Sequence, residues 1–134
     1  MRKFFLLLCA ACFSAIGSTQ AQTARDRQTI RIKTSVECQM CQKRIENYFK
    51  KMPGIINLNV NYHNKLVTVN YLSSRTSPSN IRTAIANLGY DADTVTANPF
   101  YYNKLPDCCK KGGMEAKRKA EMEARRQKLR AKKP

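Results

Sequence analysis

Between Thr29 and Tyr71 the spacing of apolar positions changes period from one segment to the next. Thr29 to Thr34 alternates, with Ile30 and Ile32 on one side and Arg31 and Lys33 on the other, which predicts a half-buried strand. From Gln42 to Met52 the period lengthens: Ile45, Phe49 and Met52 follow Cys41 at spacings of 4, 4 and 3 residues, one face of a helix. Pro53-Gly54 ends that helix and starts a turn. Ile56, Leu58, Val60 and Tyr62 then alternate with Asn57, Asn59 and Asn61, and Val67, Val69 and Tyr71 continue after His63-Asn64-Lys65, which predicts a β-hairpin. Ser77 as N-cap and Pro78 at the first helical position open a second helix, with Ile81, Ala84, Ile85 and Leu88 on its apolar face. Gly89 stands where a left-handed C-terminal cap is needed. Asp91 to Ala97, centred on Val95, is predicted as the last strand.

The order strand, helix, strand, strand, helix, strand predicts an α+β fold, the ferredoxin-like βαββαβ sandwich of two helices on a four-stranded antiparallel sheet. Three connections of that topology meet at one end: first strand to first helix, the hairpin turn, and second helix to last strand. They carry Cys38 and Cys41, His63, and Tyr90. The two thiols of Cys38-Gln39-Met40-Cys41 therefore converge where an alternating strand gives way to a helix. Unpaired N–H groups and the helix dipole lower thiol pKa at such a place and raise the fraction of thiolate, the form that binds metal. His63, the sole histidine, is read as a solvated turn residue rather than a ligand.

These features together resemble the heavy-metal-associated domain of copper chaperones, mercury-binding periplasmic proteins and the N-terminal modules of metal-pumping P-type ATPases. The features are the CxxC between first strand and first helix, the Pro-Gly before the second strand, the alternating hairpin, and Leu88-Gly89-Tyr90-Asp91-Ala92. The resemblance covers roughly Thr29 to Thr96 and implies soft-metal binding through Cys38 and Cys41, with Tyr90 near the site. Two positions depart from the family pattern. Ser35-Val36 replaces a usual Gly-Met whose Met packs beneath the loop, a role Val36 takes with a smaller side chain. Glu37 precedes Cys38 where copper members often carry Thr or Ser and some zinc or cadmium pump domains carry Asp.

Two thiolates alone suit Cu(I) or Hg(II), while Zn(II) or Cd(II) prefer more ligands; Glu37 is a candidate third, with water a fourth. Cu(I) is the first choice of cargo on ligand count. Transfer to another thiol protein needs the sulfurs open to solvent, so that an incoming thiol adds before the outgoing one leaves. Sulfurs pointing apart or sealed inside the core would sink the carrier reading. CxxC is also a thiol-disulfide redox motif, so a redox protein remains an alternative from another class.

Residues 1–22 read as a secretory signal peptide: Arg2 and Lys3, an apolar run from Phe4 to Phe13, and small residues up to Thr19-Gln20-Ala21. The mature protein is expected to be periplasmic or otherwise exported. Cys9 and Cys12 leave with the leader, so four of six cysteines remain, in a setting where disulfides form. Residues 23–28 read as a linker, 29–98 as the metal-binding domain, and 99–134 as a basic tail, partly helical or disordered, that contains Cys108 and Cys109. Because the last strand is expected to run away from the thiol pole, this pair would have to return across the domain. The ten or so residues after Asn98 extend to about 33 Å, enough for that path. Cys108 and Cys109 are thus a possible auxiliary pair, the alternative being pairing with another chain.

The formal charge is +16, and Lys110 to Pro134 holds 11 basic and 3 acidic residues. Such a run is usually solvated; contact with an anionic membrane is the next reading, and nucleic acid is not expected for an exported protein. A plain interaction module acting through this tail is a further alternative. No Ser-His-Asp arrangement, phosphate loop or paired acid and base stands out, so no catalytic turnover is expected. The implied partner is a metal-transporting membrane protein or another metal-binding protein, with the chain a monomer or a metal-bridged dimer.

Overall fold

The computed structural model describes residues 26–132; the predicted leader, with Cys9 and Cys12, lies outside the described residues. Strand β1 (Arg27–Lys33) begins two residues before the alternation at Thr29, taking Arg27 and Gln28 out of the expected linker. Helix α1 (Gln39–Phe49) follows the thiol loop, then strands β2 (Ile55–Asn61) and β3 (Leu66–Leu72) and helix α2 (Pro78–Asn87). The sheet is antiparallel in the order β1-β3-β2. Central β3 sets Val67 opposite both Ile32 and Val60, and Val69 opposite both Ile30 and Leu58. These inward residues form one core with Ile45 and Phe49 of α1 and Ile81 and Ile85 of α2.

Alternation fails at one point in the hairpin. The register shifts between Ile55 and Asn57, so the sheet carries a bulge that turns Ile56 outward to 42% exposure and lets Ile55 pack against the core instead. Phe49 ends the α1 stripe and is fully buried. Phe49→Ala is expected to lower unfolding free energy by about 3–5 kcal/mol, a large part of the 5–15 kcal/mol of a typical domain. A urea titration of reduced protein showing a loss of less than about 1 kcal/mol in unfolding free energy would remove Phe49 from the core.

The predicted fourth strand is not formed among the described residues. In its place Ala92 makes isolated bridges to Thr34 and to Val95, and the chain turns. Two aspartates explain the turn, because their side chains take backbone N–H groups that a strand ladder would use. Asp91 Oδ1 accepts from the Ala97 N–H at 2.9 Å, and Asp93 Oδ1 accepts from the Lys33 N–H at 2.9 Å. Asp93, in a left-handed conformation with φ 54°, also meets Arg82 Nε at 2.8 Å. The turn sends the chain back along α2, where the Asn98 N–H donates to the Ala86 carbonyl at 2.9 Å. Asn98 then caps a short helix, α3 (Pro99–Asn103), accepting from the Phe100 N–H at 3.0 Å. Gly89 permits this return: its φ is 93°, and a Cβ there would lie 3.1 Å from the Tyr101 backbone.

After α3 come buried Leu105, a 3₁₀ turn at Asp107–Cys109 and helix α4 (Gly113–Ala131), which has no buried residue. Beyond Met114 all its described side chains are exposed, as its lack of an apolar stripe implies. Gly112-Gly113 starts the helix. Gly112 is the N-cap at φ 74° and Gly113 the first helical residue. Among the described residues no helix is long and apolar enough to cross a membrane.

Candidate metal centre

Cys38 is the N-cap of α1, extended at φ −152° and ψ 169°, and Cys41 lies in the first turn above Ile45 and Phe49. The helix starts three residues before Gln42, so both thiols sit within the helix entrance. Their sulfurs are 3.2 Å apart, and both cysteines are free thiols. Val36 is fully buried in the core beside them, as expected for a residue packing beneath the loop.

Cys108 and Cys109 are at the same place. Cys38 Sγ lies 3.6 Å from Cys109 Sγ and 4.0 Å from Cys108 Sγ, and Cys108 and Cys109 are 4.0 Å apart. The sulfurs of Cys38, Cys108 and Cys109 all fall within 4.8 Å of one another. The absent fourth strand accounts for this, because the tail never leaves the thiol pole and has no domain to recross. Lys111 Nζ fastens it there, meeting Asp91 Oδ2 at 2.6 Å, and within the tail the Lys111 N–H donates to the Tyr102 hydroxyl at 3.3 Å.

The tail closes the site. Cys41 has no exposed surface, Cys38 is 7% exposed and Cys109 2%, leaving Cys108 as the half-buried thiol of the four. The expectation of two open sulfurs is therefore corrected: they converge, but under a cover that lies beyond the βαββα domain.

The thiols differ in acidity. Burial works against a charge on Cys38, yet the Cys41 N–H and thiol, the Cys109 thiol and the Met40 N–H together hold its pKa below the ordinary value. Burial first, then the Cys41 and Cys38 sulfurs, push Cys109 up, and desolvation raises Cys108. One thiolate at Cys38 thus discourages ionisation of Cys108 and Cys109, a balance that a cation among them reverses.

Glu37 is not brought to the sulfurs: its carboxylate is held by Lys65 Nζ at 2.6 Å. Tyr90 is fully buried, and its hydroxyl has no hydrogen-bond partner. Burial first, then the adjacent Cys41 and Cys109 sulfurs, raise its pKa, so it faces the site as a neutral phenol. His63, exposed in the hairpin turn, stacks on Tyr62 at 4.1 Å between ring centroids. What sequence reasoning undervalued was Cys108 and Cys109, although Asn98-Pro99 carries the same helix-start pattern as Ser77-Pro78 and marks the return of the chain.

Residues 31–91 match the model of the heavy-metal-associated domain, and this stretch of the chain belongs to that family. The chain is 37% identical over 65 residues to a copper-exporting P-type ATPase of Staphylococcus aureus (strain Newman), a span of 48% of this chain and 8% of the ATPase. Among solved structures it is similar to the CopZ metallochaperone, with 26% identity, 48% of this chain and 98% of that one covered, and a TM-score of 0.47. Oxidized MerP from Ralstonia metallidurans CH34 is similar at 20% identity, with 50% and 94% covered and a TM-score of 0.47. Cys108 and Cys109 lie beyond the segment that the family model matches.

Proposed function

We propose that this protein is an exported, periplasmic carrier of a thiophilic metal ion, Cu(I) first and Hg(II) next, with Zn(II) or Cd(II) as lesser candidates. Cys38 and Cys41 bind the ion, without catalytic turnover, and a metal-transporting membrane protein or another metal-binding protein receives it. The observation that carries this reading is the pair of sulfurs 3.2 Å apart at the entrance of α1, within a heavy-metal-associated domain. A thiolate-favouring helix start next to a second thiol suits soft, low-coordinate ions. Because the tail covers both sulfurs, hand-over requires residues 105–111 to lift, and an acidic partner competing with Asp91 for Lys111 suits that step. The basic α4 is then free to meet a partner or an anionic membrane surface.

The test is native mass spectrometry of reduced mature chain titrated with Cu(I). One tightly held ion per chain is expected, and loss of that ion in the Cys38→Ser, Cys41→Ser double variant. Undiminished loading of the double variant would overturn the assignment. Turnover in disulfide reduction by metal-free protein would favour a redox role instead.

A further inference from the structure

The geometry points to Cys108 and Cys109 as metal ligands: a soft ion is held by three sulfurs, those of Cys38, Cys108 and Cys109, with the C-terminal segment as both lid and ligand donor. This rests on the metal-binding reading and goes further by naming a ligand set outside the family domain. The sulfur spacings decide between the two sets. With metal–sulfur bonds of roughly 2.3 Å, three sulfurs around a trigonal ion lie about 4.0 Å apart, and four around a tetrahedral ion about 3.8 Å. The separations among Cys38, Cys108 and Cys109 are 3.6, 4.0 and 4.0 Å. An ion held in line between two sulfurs needs them about 4.6 Å apart, so the Cys38–Cys41 pair, at 3.2 Å, has to spread before it can take an ion that way.

The segment is also held in place by contacts of its own. Leu105 and Cys109 are buried, the Cys109 N–H donates to the Pro106 carbonyl at 2.8 Å, and Lys111 bridges Asp91 and Tyr102. Cys108, half-buried, is the sulfur an incoming ion reaches from solvent. Cys38 is common to this trio and to the CxxC pair, so an ion can pass from one set to the other without leaving protein sulfur. Each cysteine that binds releases its proton to water, and no electron changes hands.

X-ray absorption of reduced full-length mature protein loaded with one equivalent of Cu(I) tests this. Three sulfur neighbours are expected in the unaltered chain and two in Cys108→Ser, Cys109→Ser, with affinity against a Cu(I) chelator weaker by about 10-fold or more. Cys108→Ser alone alters a half-buried position and keeps the test open should loss of buried Cys109 disturb folding; it too is expected to lower the sulfur count. Two sulfurs in the unaltered chain, or equal affinities, overturn the three-sulfur site while leaving the CxxC assignment standing. Absence of Cu(I) binding in every chain overturns both.

Discussion

Cys38→Ser is expected to weaken Cu(I) binding by about 100-fold or more, and Cys41→Ser by only about 10-fold. The difference follows from position. Cys38 lies within 4.0 Å of each of the other three sulfurs, belongs to both ligand sets, and is the thiol whose pKa is held down by the helix entrance. Cys41 has no solvent-exposed surface and serves one set only. Serine is among the preferred N-cap residues, so Cys38→Ser keeps or strengthens the start of α1. Lost affinity in that variant is then attributable to the sulfur rather than to unfolding. Competition titration against a Cu(I) chelator, paired with a thermal melt of each apo variant, gives the comparison. Equal losses at the two positions would mean that the CxxC pair acts alone and Cys38 has no second role.

The second large effect is expected outside the CxxC loop, at Gly113. A Cβ on this residue would lie 1.8 Å from the Asp107 carbonyl oxygen and 2.8 Å from its carbon, contacts with backbone that no side-chain rotation relieves. Gly113→Ala therefore has to move either the start of α4 or the turn that carries Cys108 and Cys109. Alkylation of Cys109 by iodoacetamide in apo protein is expected to accelerate about 10-fold or more, because its protection is a local closing that the substitution undoes. The βαββα core contains neither residue, so its melting transition should stay near that of the unaltered chain. Unchanged Cys109 protection would show that the cover is held by Leu105 and Lys111 without help from the helix junction.

Much of the domain was legible in order along the chain. Strict alternation in Val67, Val69 and Tyr71 put those residues inside, and the Ile81, Ala84, Ile85 set put one face of α2 inside. Where periodicity misled, a local hydrogen-bonding preference was responsible. Ile56 continued the alternation of β2 yet points outward, because a bulge is a register event between two strands and leaves no trace in one strand's own pattern. Asp91 to Ala97 read as a strand through Val95, but Asp91 and Asp93 turned their carboxylates onto backbone N–H groups and bent it. Glu37 looked like a ligand by its place before Cys38. Lys65, distant in sequence and adjacent across the hairpin turn, had already claimed it.

The sequence by itself determined the convergence of Cys38 and Cys41, since two thiols three residues apart at a strand-to-helix junction can lie only at one end of the fold. It also determined the core faces, which follow from local period. The tertiary structure alone decided that Cys108 and Cys109 join them and that the site is closed. Those outcomes depend on where the chain goes after Tyr90, and a single turn made by two aspartates redirects every residue that follows, an effect that no local pattern in the later segment records.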